Sequence, residues 1–361
     1  MIHQTKTRDG SRLHGASQFR GAILRRVRRV LFAAAIGIAA LWAPILGARA
    51  EPIQIVSTPL AAGGSLEAKP YDIPDSAVRY LGGIELKSDD KRFGGWSGLV
   101  IEGGDRLVAI SDRGHWLIAR LDFDEVGNLK GLTDAQIHPF LGDEFDVLRS
   151  KSLQDAESIA VSKDGYFVSF ERRHRIRAYT GIDGAGIILT PLPGLADARG
   201  NSGLEALTEL GDGRFLALQE DMAKGQTGVE AGYRGWIFQG AESWPVTIAG
   251  NERLHPTGLT RLPNGDLLLL ERRFALLTGF GARFRRIARD QIKPGARIKP
   301  TLVARLASPV PVDNLEGVAA VPAKDGQVKI FVISDDNFSA FQRTLLLVFE
   351  YRPAQNGEQN D

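Results

Sequence analysis

Three glutamates, Glu157, Glu205 and Glu316, stand at the start of similar apolar segments, with Asn201, Asp313 and Asn314 just ahead of two of them. Carboxylates brought together repel, and repulsion raises the pKa of some unless a cation or an arginine neutralises them. Hard oxygen donors with no cysteine and few histidines suit Ca²⁺ better than zinc. Asn314 and Asp335, the latter in the dense run Asp335-Asp336-Asn337-Phe338, are further candidate ligands. That run lacks the glycine and distal glutamate of an EF-hand loop. A second set is basic. Arg113, Arg173 and Arg273 share one offset, Arg172 and Arg272 stand one place earlier, and His115, His174 and Arg343 lie nearby. A guanidinium presents a planar fork that matches phosphate or carboxylate oxygens. Together the two sets meet the needs of metal-assisted hydrolysis. In that reading Glu157, Glu205 and Glu316 bridge the cation and activate water, while the six arginines hold the phosphoryl group. Plainer roles fit the same residues: the acids could staple neighbouring segments through backbone hydrogen bonds, and the arginines could neutralise Glu171 and Glu271.

The segments that carry these residues are copies of one unit. It reads as an apolar strand, a Gly/Asp/Asn turn, a second apolar strand and a charged cluster. The copies begin at Ser97, Glu157, Glu205, Thr257 and Glu316. In four of them the closing cluster starts fourteen residues after the first residue, and the fifth is longer by four in its turn. Gly103-Gly104, Asp164-Gly165, Asp212-Gly213 and Asn264-Gly265 sit midway, where a tight hairpin turn needs positive φ. Strand-like runs follow at Trp116–Phe123, Arg175–Tyr179, Arg234–Phe238, Ala282–Ile287 and Thr344–Tyr351. A fainter set includes Ile187–Leu192, Trp244–Ile248 and Leu302–Leu306. Four strands per unit of about fifty residues is the period of a β-propeller blade. No stretch after residue 50 has convincing helical periodicity.

The expected fold is therefore all-β, a single propeller of five blades. The fifth unit ends after its third strand, and Ala77–Leu86 would supply the fourth and close the ring. Residues 51–76 would form an extension, or a degenerate sixth blade. The propeller would span 77–352 and a polar tail 353–361. In a hairpin whose turn centres on position 7, positions 0 and 14 face each other. Ser97 should then lie beside Ser111, Glu157 beside Glu171, Glu205 beside Gln219 and Thr257 beside Glu271, all at one mouth of the central channel.

Composition narrows the function. The absence of cysteine removes disulfides, thiolate metal sites and cysteine nucleophiles. Arg25, Arg26, Arg28 and Arg29 precede an apolar run from Val30 to Gly47 that ends in Ala48-Arg49-Ala50. This is the pattern of a secretory signal cut before Glu51, loosely of the twin-arginine type, with an uncleaved anchor as the alternative. Its loss leaves 36 basic and 42 acidic residues, a formal charge of −6 against +2 for the whole chain. No basic footprint for nucleic acid survives. A periplasmic or secreted monomer acting on an anionic small molecule, off the membrane, is the expectation. A G-x-S-x-G elbow, H-E-x-x-H, the P-loop and the dinucleotide fingerprint are all missing.

Eight motifs in order carry a family resemblance: Ser111-Asp112-Arg113, Asp155-Ala156-Glu157-Ser158, Phe170-Glu171-Arg172, Gly203-Leu204-Glu205-Ala206-Leu207, Pro256-Thr257-Gly258-Leu259, Glu271-Arg272-Arg273-Phe274, Asp313-Asn314-Leu315-Glu316-Gly317 and Ser334-Asp335-Asp336-Asn337-Phe338. From about Gly94 to Phe349 the chain resembles the bacterial phytase-like domain family, labelled "esterase-like activity of phytase". The resemblance implies an exported β-propeller and a phosphoester hydrolase. The β-propeller phytases place a calcium cluster beside a basic phosphate-binding mouth, an analogy of fold that does not fix function. A non-catalytic envelope propeller for an anionic ligand or partner, and a calcium propeller of lactonase type, are the competing readings.

Overall fold

Each repeat folds as the antiparallel hairpin its glycines require, with Gly104, Gly213 and Gly265 at φ 88°, 84° and 88° in the turns. The computed structural model describes residues 50–64, 70–200, 202–222, 231–250, 254–275 and 279–352. Residues 1–49, which hold all but Ala50 of the expected signal, Asn201 and the residues 353–361 lie outside the described residues. Five separate antiparallel sheets form the blades of a β-propeller. Their innermost strands are Trp96–Glu102, Ala156–Ser162, Leu204–Glu209, His255–Arg261 and Leu315–Pro322, which define blades 1 to 5. The first three strands of each blade step outward in chain order.

Ring closure follows the expected route. Val78–Lys87 pairs antiparallel with Thr344–Tyr351, Tyr351 opposite Val78 and Leu345 opposite Glu85, and so completes blade 5 from the other end of the chain. Residues 51–76 build no sixth blade. Val56–Leu60 extends blade 5 beyond Val78–Lys87, and Glu51–Pro52 adds to the outer strand Leu129–Pro139 of blade 1. Arg297–Ile298 likewise runs parallel to the outer strand of blade 3. These additions cover backbone edges that would otherwise invite pairing with another chain. Among the described residues the one α-helical turn is Lys151–Gln154 ahead of blade 2, beside short 3-10 turns at Ala62–Gly64, Leu195–Asp197, Arg289–Gln291 and Lys324–Gly326.

Apolar faces of neighbouring blades meet in dry seams. Between blades 1 and 2, the fully buried Trp116 packs edge-on against Phe140 and Tyr179, with ring centroids 4.7 and 5.2 Å apart. Nearer the axis the strands need small side chains. A Cβ on Gly258 would sit 2.6 Å from the Glu316 carbonyl oxygen, and one on Gly317 would sit 2.9 Å from the Leu99 nitrogen. Hydroxyls do the stapling between blades: Ser169 Oγ donates to the Leu204 carbonyl (2.7 Å), Thr257 Oγ1 to that of Leu315 (3.0 Å), and Ser158 Oγ accepts from Leu207 N–H (3.0 Å).

Candidate functional site

The first residue of every repeat is a β-bulge. Ladder pairing skips Ser97 between Trp96 and Gly98, Glu157 between Ala156 and Ser158, and Glu205 between Leu204 and Ala206. It skips Thr257 and Glu316 in the same way. A bulge leaves its extra residue without a cross-strand partner and re-aims its side chain. The expected pairs of positions 0 and 14 therefore do not form. Ser111, Gln219 and Glu271 lie opposite Trp96, Leu204 and Pro256 instead, and in blade 2 Ala156 lies opposite Phe170.

This slip decides which side chains reach the axis. At one mouth of the channel is a cavity of about 730 Å³. Ser97, Glu157, Glu205 and Glu316 line it, from the bulge position. Asp112, Arg172, Glu220, Arg272 and Asp335 line it too, all from position 15 of their copies once the longer turn of the fifth is allowed for. Asp155, Glu171, Lys151 and Asn314 complete the polar wall. The glutamates, Asn314, Asp335, Arg172 and Arg272 singled out from sequence are thus brought together.

Four arginines are not brought to the cavity wall. The Arg113 guanidinium lies 3.3 Å over the Phe338 ring, Arg173 is exposed, and Arg273 faces Gly281 across its ladder. Arg343 pairs with Asp313 (3.6 Å) and Glu85 (3.7 Å) and lines a separate groove between blades 1 and 5. Arg113, Arg173 and Arg273, at position 16, do not line the cavity, whereas all five position-15 residues do. Position 15 was the sequence signal for Asp112 and Glu220, which residue types alone did not single out; Asp155 stands two places before Glu157, as Asn314 does before Glu316, and Lys151 carries no repeat signal.

Eight carboxylates and three cationic side chains share the cavity. Each cation already has acidic company. Lys151 Nζ bridges Asp112 (2.6 Å) and Asp155 (2.5 Å), Arg172 pairs with Asp155, and Arg272 pairs with Glu316 at 2.8 Å. Arg172 holds its place with a left-handed backbone, φ 56°. Glu316 also accepts a 3.0 Å hydrogen bond from Asn314 Nδ2. Glu171 accepts one from Gly203 N–H (3.3 Å), which ties blade 2 to blade 3. Glu271, by contrast, is fully buried away from the cavity and is neutralised by Arg283 and Arg285, not by its sequence neighbours.

No hydrogen bond or ion pair reaches the carboxylates of Glu157 or Glu205 among the described residues. Burial, and then like charge (Glu205 for Glu157, Glu220 for Glu205), push both well above the usual carboxylate range. Burial and Asp155 push Glu171 up to about 7, and burial with Glu316 pushes Asp335 up to about 8. One oxygen each from Asp155, Glu157 and Glu171 lie within 4.8 Å of one another. That all-oxygen trio fits a hard divalent cation, with water completing the six to eight ligands that Ca²⁺ takes. Glu316 lies outside the trio and is paired with Arg272, as Asp155 is with Lys151 and Arg172; Glu157 and Glu171 have no ion pair among the described residues. Of the ligand set expected from sequence, Glu157 belongs to this trio, while Glu205, Glu316, Asn314 and Asp335 line the same cavity outside it.

Fold and site together define a five-bladed β-propeller with an acidic axial cavity able to hold a metal ion. Residues 91–338 match the family described as "Phytase-like: Esterase-like activity of phytase", and the chain belongs to that family. Comparison with the curated proteins finds no match. Among solved structures, the α-L-arabinofuranosidase PaAbf62A from Podospora anserina is similar at 11% identity and TM-score 0.44, covering 84% of this chain and 98% of that one. A thermostable family-43 glycoside hydrolase gives 9% identity and 0.43, covering 71% and 89%. The extracellular domain of the hybrid two-component system BT4673 from B. thetaiotaomicron gives 13% and 0.35; 81% of this chain spans 33% of that one. No helix among the described residues is long and apolar enough to cross a membrane.

Proposed function

We propose that the protein is an exported, calcium-assisted hydrolase of phosphate esters that works at the axial cavity. The observation that carries the reading is the trio Asp155, Glu157 and Glu171, in which Glu157 has no cationic partner of its own. When bound, the cation would neutralise developing charge on the phosphoryl oxygens and lower the pKa of a nearby water.

The chain's own residues supply the rest. Asp155, Glu157 and Glu171 hold the ion. Arg172 and Arg272 present guanidinium groups to an anionic head, each kept in place by its acid. Burial raises the pKa of Glu205 and Glu220, and neither has an ion pair among the described residues, so these carboxyls are the candidates to give a proton to the leaving oxygen. The enclosing blades limit water, which strengthens each of these charges. The family label supports ester hydrolysis as the reaction type. The Arg-rich leader and small-x-small boundary support export, with Glu51 as the expected mature N-terminus.

The test is phosphomonoester turnover by the purified mature protein, in calcium and after chelation. Metal content and thermal unfolding should be read on the same samples. The reading requires bound calcium and turnover that chelation removes and calcium restores. Equal background rates from a folded, calcium-loaded sample would end it, leaving a binding propeller.

A further inference from the structure

Three phenyl rings stand around the acidic cavity. Phe274 and Phe280 are direct cross-strand partners in blade 4, their ring centroids 4.9 Å apart and tilted by 51°. Phe341 comes from the corresponding loop of the next blade, between its second and third strands. All three line the same cavity as the carboxylates. Phe274 is 60% exposed and Phe341 96% exposed. A single exposed phenylalanine needs no explanation, but several ringing one charged cavity form an apolar patch of the kind that marks a ligand site.

We propose that the substrate is a monoester with one anionic head and an aromatic leaving group, its ring seated against Phe341 and the Phe274–Phe280 pair. This rests on the reading of the cavity as an ester-hydrolysing site. The charge balance favours it. Lys151, Arg172 and Arg272 are the three cations of a wall with eight carboxylates, and each is shared with an acid, so beyond the groups that hold one anionic head the wall has no further cation for a second phosphate. A monoester brings one anionic group to the cation and leaves its apolar part for the rim, where aromatic rings pair edge-on or offset. In the reaction, water's oxygen bonds to phosphorus and the bond from phosphorus to the aryl oxygen breaks with its electron pair. The phenolate oxygen takes a proton from a protonated carboxyl of the wall, which water's released proton then restores. Nothing is oxidised or reduced.

Phenylphosphonate and methylphosphonate share the head group and cannot be hydrolysed. Titration calorimetry in millimolar calcium should find phenylphosphonate bound at least about fivefold more tightly, the gain expected from covering one ring. Phe341→Ala and Phe274→Ala should each shrink that preference while methylphosphonate still binds; thermal unfolding should be unchanged for the exposed Phe341 and fall slightly for Phe274, which gives up its Phe280 partner. Equal affinities in the wild type, a preference that neither variant touches, or no binding of either phosphonate would overturn the proposal. Turnover of phenyl phosphate and glycerol 2-phosphate is read separately. A binding preference without turnover keeps the aromatic seat and removes the esterase reading; turnover of both esters with equal phosphonate affinities removes only the seat.

Discussion

Glu157 and Glu271 have the same side chain, yet their surroundings give them opposite roles. Glu271 is fully buried between Arg283 and Arg285, with Arg285 Nη1 at 2.8 Å, so it is fully compensated. Removing its charge strands two guanidinium groups in a dry seam. Glu271→Gln should therefore cost about 3–5 kcal/mol of stability, the usual penalty for breaking a buried pair, and leave calcium affinity of the folded fraction unchanged. Chemical denaturation and calcium titration of the same sample separate the two effects. Glu157 lies among Glu205, Glu171 and Asp155 with no cation of its own. Glu157→Gln should weaken calcium binding by roughly tenfold or more, since a charged ligand is lost. It should also raise the melting temperature of the chelated protein, since a repulsion is relieved. Glu316→Gln should spare most of the calcium affinity, because Arg272 already compensates that carboxylate. If Glu316→Gln were the more damaging of the two, the ion would belong on the Arg272 side of the cavity.

The bulge is the element on which the site depends. It sits at one place in all five inner strands and leaves the first residue of each repeat without a ladder partner; the cavity is lined from that residue in four copies and from position 15 in all five, and not from position 16. Hairpins, blade count and ring closure were legible in the sequence because glycine turns and the fourteen-residue interval report local geometry. The acids at the first position were legible for the same reason. The inward arginines were only half legible: nothing in residue type distinguishes Arg172 from Arg173, and a ladder without bulges predicts the wrong neighbour. Lys151 was invisible as a site residue because it lies on a one-off turn outside the repeat, whereas Asp155 shares the offset of Asn314 and was legible there, though not singled out. The crowding beside the bulge makes a prediction at this scale. Gly258→Ala places a Cβ 2.6 Å from the Glu316 carbonyl oxygen, backbone that cannot step aside without shifting the bulge of blade 5. It should cost about 1–3 kcal/mol. It should also alter ligand affinity at the cavity, although Gly258 touches no ligand. Gly103→Ala, whose Cβ would meet nothing within 4 Å, is the control for simple loss of a glycine. Its own φ of 58° predicts only the modest cost of a left-handed alanine, with the cavity untouched.

Because the ring is closed by pairing the strand at 78–87 with the last strand at 344–351, no blade can relax alone to spread the axial charges. The repulsion among them must then appear in the stability of the whole propeller. The sign follows from the pKa values. Asp335 is raised to about 8, Glu171 to about 7, and Glu157 and Glu205 well above the usual range, whereas in the unfolded chain these groups titrate near 4. The folded state therefore binds more protons than the unfolded state across that interval, and stability falls as pH rises through it. A chelated sample should lose melting temperature steadily between pH 5 and pH 8. A cation binds only the ionised carboxylates and reverses that dependence, since a ligand that prefers the folded state stabilises it by mass action. Scanning the melting temperature from pH 5 to pH 9, with chelator and with millimolar calcium, should give curves that meet at the acid end and separate as pH rises. Parallel curves would mean that the cavity's acids do not bind the ion. A chelated protein that gained stability toward alkaline pH would mean that they are already neutralised from within the fold.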